Sequence, residues 1–384
     1  MAPIRVALIG LSATAKTSWA SRAHLPYLLS PQGREKYQIV ALLNSSVEAA
    51  RAAIAEYNLP AETTKAYGDP DALAADADVD LVVCNTRVDN HHKTVRPSLE
   101  AGKAIFSEWP LAQDAAHARD LATLAHQKSA KTAVGLQGRL SPLAHTLRKI
   151  LSSNRIGKVL STEVRAFGGT MDRDRIPSGL AYFLERDVGG NPYTIGFAHA
   201  FDTVQSVLGD LDASSARGHF HLQRPKVTIF DPASGNVVET KKSNVPDLIF
   251  VSGYLEQGQG DIIAPQGAAL HFRLRRGQQW PGEPGLVWTI AGERGEIKVT
   301  SPVAALQVGL EEQPAVIEVH DNATDTIEKV EWEWEDFQRE LPLMSKNIAA
   351  VYEAFAAGTG GYATFDDAVK RHEQLESLLA DWKA

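Results

Sequence analysis

The sequence predicts an α/β protein, with a doubly wound parallel sheet at the N-terminus and a second α/β domain built on a large, mostly antiparallel open sheet. Three observations predict it. The apolar run Ile4–Ile9 closes on Gly10 and leads into a helical pattern, as a first strand and a phosphate-binding turn require. Over the first third of the chain, short continuous apolar runs alternate with helical patterns, the signature of parallel strands covered on both faces. After Gly135–Pro142 the pattern changes to alternating strands separated by Gly, Pro and Asp turns. A chain of 384 residues also exceeds what one hydrophobic core usually serves.

Taken in order, strands are expected at Ile39–Leu43, Leu81–Asn85, Ala104–Ser107 and Ala133–Leu136. Helices are expected at Val47–Tyr57, Pro70–Ala75, His91–Ala101 and Gln113–Lys128. In such a sheet the ligand lies at the carboxyl ends of the strands. That places Asn44, Ser45 and Ser46, Thr86 to His91, and Glu108-Trp109-Pro110 where they matter. A helix over Pro142–Ser152 then leads to strands at Lys158–Phe167, Ala213–Leu222, Ile249–Leu255, Ala268–Arg276, Leu286–Ala291 and Glu296–Val299. Ile195–Leu208 is the helix expected against that sheet, and Met344–Ala357 and Phe365–Trp382 read as amphipathic helices. The expected organisation is residues 1–136, 137–340, and 341–384 packing back across the two.

Composition narrows the function. With 44% hydrophobic and 22% charged residues the chain is ordinary globular protein, and its net charge of −8 repels phosphate backbones, so no direct nucleic-acid partner is expected. Cys84 is the sole cysteine, which excludes an internal disulfide and favours a reducing compartment, the cytoplasm. No apolar run approaches the roughly 18 residues of a membrane span, and no signal pattern opens the chain. The pair His91-His92 suggests metal only superficially, since adjacent side chains seldom converge on one ion; no metal is expected.

Gly10, Asn90-His91-His92, Glu108-Trp109-Pro110, Gly157-Lys158-Val159 and His199-Ala200-Phe201-Asp202 together resemble the glucose–fructose oxidoreductase/inositol dehydrogenase (Gfo/Idh/MocA) superfamily. Gly10-Leu11-Ser12-Ala13 with Trp19 and His24, Leu136–Arg139 with Ser141-Pro142, Val245-Pro246-Asp247, Gly292, Gly295 and the stretch from Phe365 to Leu378 look most like its fungal galactose-regulon repressor branch. The resemblance implies a Rossmann domain, an open-sheet domain for substrate and dimer contacts, and a bound nicotinamide dinucleotide. It implies cofactor contacts at Gly10, Leu11, Ser12, Ala13, Trp19, Asn44, Ser45, Thr86, His91, Glu108 and Trp109. Most enzymes of the superfamily have lysine where this chain has Trp109, and an indole cannot transfer a proton at neutral pH. The repressor branch, as the resemblance implies, shares this tryptophan and uses the dinucleotide without turnover; the chain lacks much of that branch's long insertion before the C-terminal helices.

The catalytic candidates are His199, Tyr193, Arg139 and Glu108. His199 carries an imidazole, whose ordinary pKa lies near neutrality, and precedes Asp202 by three residues, on one helical face. Tyr193 offers a phenol in place of the missing lysine, Arg139 a planar fork for an anion or carbonyl, and Glu108 an acceptor for a ribose or substrate hydroxyl. The loop Gly168–Arg175 reads as a polar rim over the site. The neutral donors Asn44, Ser45 and Ser46 after the second strand predict that NADP binds at least as well as NAD. Valine, leucine, isoleucine and tryptophan at alternating sheet positions predict a face covered in a homodimer. Two functions stay open: an NAD(P)-dependent oxidoreductase, lyase or isomerase acting on a small hydroxy or carbonyl metabolite, and a non-catalytic dinucleotide-responsive regulator with a protein partner, which would also work in the nucleus.

Overall fold

The computed structural model describes residues 2–14, 19–168, 172–256 and 261–384. The chain divides into two compact units: residues 1–137, 187–190 and 335–373 form the first, and 138–186, 191–334 and 374–384 the second.

The first unit is built on six parallel strands, β1 (Ile4–Ile9), β2 (Tyr37–Leu43), β3 (Lys65–Tyr67), β4 (Leu81–Cys84), β5 (Ala104–Ser107) and β6 (Thr132–Val134), in the order β3-β2-β1-β4-β5-β6. The central strands are apolar throughout because both faces are covered: Val6 to Ile9 and Leu81 to Cys84 are all buried. Strand order reverses between β1 and β4, the place where such sheets open a crevice for a ligand. Crossing helices include α1 (Leu25–Leu29), α2 (Pro31–Lys36), α3 (Val47–Glu56), α4 (Pro70–Ala74), α5 (His91–Glu100) and α6 (Ala115–Lys128). Ser46, Asp69 and Asp114 cap α3, α4 and α6 by accepting backbone N–H groups. The short edge strand β3, a π-helical turn at Ala20–His24, and α1 and α2 were not expected from the sequence.

The second unit opens with α7 (Pro142–Ser152), capped by Ser141. Its main strands are β7 (Val159–Gly168), β9 (Arg217–His221), β12 (Leu248–Tyr254), β13 (Ala269–Arg276), β14 (Leu286–Gly292), β15 (Gly295–Ser301), β16 (Val316–Asp321) and β17 (Thr326–Val330). They form one sheet in the order β17-β16-β15-β14-β7-β13-β12-β9, in which only β7 and β13 pair in parallel. Between them β8 (Arg175–Pro177), β10 (Lys226–Phe230) and β11 (Val237–Lys242) make a separate three-stranded sheet over a small core of Ile176, Leu184, Val227 and Ile229. The expected helix at Ile195–Leu208 is a π-helical turn, Pro192–Phe197, running into α8 (Ala198–Leu208). Phe197 and Phe201 set their rings against Phe272 of β13 at 5.1 and 5.9 Å. The helices α9 (Asp336–Arg339) and α10 (Leu343–Ala357) belong to the first unit, and the division falls within α11 (Phe365–Leu379).

The large apolar side chains of this sheet, Phe272, Leu274, Trp288, Ile290, Ile297 and Val299, are buried. The opposite face instead carries a cavity of about 520 Å³ whose lining includes Glu163, His219, His221, Phe250, His271 and Arg273. Beside it, the guanidinium groups of Arg165, Arg273 and Arg275 surround the Phe167 ring at 5.8, 5.3 and 5.0 Å. The apolar outer face on which a homodimer was expected is therefore a histidine- and arginine-rich one, because strand alternation turns its large apolar residues the other way.

Candidate functional site

In the first unit β1 delivers Gly10 in the left-handed region, at φ +88°. A β-carbon there would stand 3.1 Å from the Asn85 carbonyl and Thr86 Cγ2, so the turn passes against the end of β4 in a way that only glycine permits. The turn is fastened from two sides. Asn44 Nδ2 donates to the Leu11 carbonyl at 2.8 Å, and the Tyr57 hydroxyl donates to the Ser12 carbonyl at 3.0 Å. Ser12 Oγ accepts from Thr14 N, and Ser46 Oγ accepts from Ala49 N. Of the three neutral residues after β2, Asn44 and Ser46 thus serve the turn and the α3 cap, while Ser45 is exposed.

Beside the Gly10 turn, both polar atoms of the Asn85 side-chain amide are buried with no hydrogen-bond partner among the described residues. Trp19 Nε1 and Gln137 Oε1 are in the same condition. A buried polar group without a partner costs about 1–3 kcal/mol. A nicotinamide dinucleotide, rich in donors and acceptors, suits the orphaned Asn85 amide at the strand-order reversal, and the residues present fit such a group.

The loops beyond β4 and β5 are tied together by His91. Its ring nitrogens lie 2.9 Å from the Pro110 carbonyl and 2.8 Å from the Thr86 carbonyl, and burial pushes its pKa down. His92 points elsewhere, to Asp120 at 2.8 Å. Trp109 is 4% exposed and stands against the His372 ring, centroids 4.7 Å apart. Burial pushes the His372 imidazole down to about 4. Glu108 is buried, with Oε1 2.8 Å from His24 Nε2, and His24 Nδ1 lies 2.8 Å from the Tyr352 hydroxyl.

In the second unit, Arg139 Nε and Nη2 donate to Asp202 Oδ2 and Oδ1 at 2.9 and 2.8 Å. Arg148 donates to the Arg139 carbonyl at 2.7 Å and to Ser206, joining α7 to α8. The fork expected to meet an anion is therefore closed on a carboxylate that is 1% exposed. His199 lies in the first turn of α8, 7% exposed. Tyr193 corrects an expectation: its hydroxyl donates to the Leu375 carbonyl at 2.7 Å, its ring stacks on Phe197, and burial raises its pKa well above the usual value. A phenol so placed keeps its proton. Residues Gly169, Thr170 and Met171 of the expected polar rim lie outside the described residues. Sequence reasoning passed over Asn85, Tyr352 and Gly135, and took His24 only as part of a motif. Of these only Asn85, directly after an apolar strand, carried a local signal.

A six-stranded parallel sheet with a glycine turn at its order reversal, joined to a large open-sheet unit, defines a two-domain protein of the dinucleotide-binding Rossmann class. Residues 4–136 match the oxidoreductase family with NAD-binding Rossmann fold, and residues 142–301 match the Gal80p C-terminal domain. The chain thus combines a Gfo/Idh/MocA family domain with a Gal80-like C-terminal domain, the pairing that matches the galactose-repressor-like branch. It is 28% identical over 378 residues to the dehydrogenase aclE of Aspergillus oryzae, covering 98% of this chain and 95% of that one. It is 25% identical over 314 residues to the galactose/lactose metabolism regulatory protein GAL80 of Kluyveromyces lactis, covering 80% of this chain but 65% of the regulator. The crystal structure of a super-repressor mutant of Gal80p from Saccharomyces cerevisiae shares the fold, with a TM-score of 0.84 at 23% identity over 99% of this chain and 96% of that one. Among the described residues no helix is long and apolar enough to cross a membrane.

Proposed function

We propose that the chain is an NAD(P)-dependent oxidoreductase acting on a small hydroxy or carbonyl metabolite. Its first unit would hold the dinucleotide at the carboxyl ends of β1, β4 and β5, with Gly10 to Ala13, Trp19, Ser45 and Asn85 along the cofactor. The observation that carries the cofactor reading is the orphaned Asn85 amide beside the Gly10 turn. The near full-length likeness to a dehydrogenase supports turnover. When bound, the dinucleotide supplies hydride chemistry. The protein's share is proton management, which Trp109 and Tyr193 are unsuited to provide and which falls to His199. The residues directly after β2 are the neutral Asn44, Ser45 and Ser46, so the reading includes NADP binding at least as well as NAD. A homodimer in the cytoplasm completes the proposal.

The second reading is a dinucleotide-responsive regulator with a protein partner. It is favoured by the likeness to the Kluyveromyces lactis regulator and by the enclosed Trp109 and Arg139. Calorimetric titration with NAD and NADP, followed by incubation of the loaded protein with a metabolite extract and mass spectrometry, separates the two. Conversion of a hydroxy or carbonyl compound supports the enzyme. Binding without any conversion, together with dinucleotide-dependent capture of a protein, supports the regulator. A clear preference for NAD overturns the NADP statement.

A further inference from the structure

Behind the candidate cofactor site, the side chains of Glu108, His24 and Tyr352 form a buried line from the end of β5 to α10. Its parts come from three places in the chain: the end of the π-helical turn Ala20–His24, the carboxyl end of β5, and the middle of α10. The line is packed among rings. His24 is fully buried, with Phe106 at 5.2 Å and Tyr352 at 5.7 Å, and Tyr352 is stacked on Tyr27 at 5.3 Å.

Counting donors fixes its polarity. Burial pushes the Tyr352 phenol well above its ordinary pKa, so it keeps its proton, and the sole hydrogen-bond partner of its oxygen among the described residues is His24 Nδ1 at 2.8 Å. Nδ1 must therefore accept, which puts the single N–H of a neutral imidazole on Nε2. That N–H faces Glu108 Oε1 at 2.8 Å, so this carboxyl oxygen accepts. The reverse polarity, with Nδ1 donating to the phenol oxygen, would leave the phenol proton without an acceptor in an apolar surround.

The carboxylate is held at one oxygen only. Oε2 makes no hydrogen bond among the described residues, and the side chain keeps 11% exposure. Its room is made by Gly135, at the end of β6, where a β-carbon would come within 2.5 Å of Oε2.

We infer that His24 and Tyr352 are positioning residues that fix Glu108 as an oriented acceptor for a hydroxyl of the bound dinucleotide's ribose. The inference rests on the reading that the first unit binds a dinucleotide. Its chemistry is a hydrogen bond from a ligand O–H to the Glu108 carboxyl, whose geometry is set before the ligand arrives.

The test is a double-mutant cycle on the full chain, with affinity for NAD and NADP measured by calorimetry. Glu108→Gln and His24→Asn are each expected to weaken binding about tenfold or more, and the double variant no further, because His24 acts through Glu108. His24→Gln, whose amide N–H reaches the place of Nε2–H, is expected to restore affinity to within a few-fold of wild type. Additive losses, or an unaltered affinity in folded His24→Asn, overturn the inference while leaving dinucleotide binding intact. A wild-type chain that binds neither dinucleotide overturns both. The ¹⁵N shifts of His24 in wild-type protein, assigned by their loss in His24→Gln, give an independent check that does not depend on how His24→Asn folds. A neutral Nε2–H imidazole is expected, and an imidazolium or an Nδ1–H form overturns the relay.

Discussion

Replacing Asn85 by Ala is expected to separate the stability of the first unit from its affinity for dinucleotide. In the ligand-free chain the Asn85 amide contributes two buried polar atoms without hydrogen-bond partners, each unfavourable by about 1–3 kcal/mol. Truncation removes that penalty and also removes a small amount of packing, about 1 kcal/mol for the atoms lost. The net effect on ligand-free stability is therefore a gain of about 1–5 kcal/mol, where an ordinary buried truncation would destabilise by about 2 kcal/mol or more. With dinucleotide the sign is unambiguous, because the variant loses the hydrogen bonds the amide was kept for. One or two such bonds at about 1–1.5 kcal/mol each correspond to a Kd raised about 5- to 150-fold. Urea unfolding of the ligand-free protein and calorimetric titration of both variants read the two quantities separately. A loss of more than about 2 kcal/mol without ligand, combined with an unaltered Kd, would refute the reasoning that Asn85 is held in waiting for the cofactor.

Three further outcomes are expected. His199→Ala should lower turnover of any substrate found by about 10²–10⁴-fold while leaving dinucleotide Kd within a few-fold, as steady-state kinetics and calorimetry would show. Asp202→Asn should destabilise the second unit by about 3–5 kcal/mol, measured by chemical denaturation, because it leaves the Arg139 guanidinium, 14% exposed, without its carboxylate. Buried His372, its pKa lowered to about 4 from 6.5 by desolvation, stays neutral when folded where the unfolded chain would take up a proton. Its stabilising effect is present above about pH 6.5 and is lost as pH falls toward 4, by up to about 3 kcal/mol, so His372→Gln should flatten the acid limb of the stability curve.

Much of the first unit was legible because its strands are buried on both faces and its helices begin on capping residues. Ala104–Ser107 and Pro142–Ser152 were read at the bounds they have. Lys65–Tyr67 and the exposed strands Val237–Lys242 and Thr326–Val330 were not, since their membership is decided by pairing with neighbours and not by their own pattern. At the candidate site the Gly10 turn could be read locally. The enclosure of Tyr193 and the pairing of Arg139 with Asp202 could not, because each depends on a partner 182 or 63 residues away. The polar outer face of the large sheet was not legible, because alternation fixes that one face is apolar and leaves the other to the residues between.

The first unit is assembled from three separated stretches of chain, and this has a consequence for its birth on the ribosome. Residues 1–137 emerge first, carrying Tyr27, Tyr37 and Phe106, yet the ring that closes over them is Tyr352 of α10, and Glu353 beside it receives the Tyr27 hydroxyl, Gln32 and Lys36. Most of the second unit is synthesised in between. The usual order, in which an N-terminal domain folds while the next is still being made, is thereby set aside. A nascent chain of residues 1–137 is therefore expected to leave this aromatic floor uncovered until α10 is released.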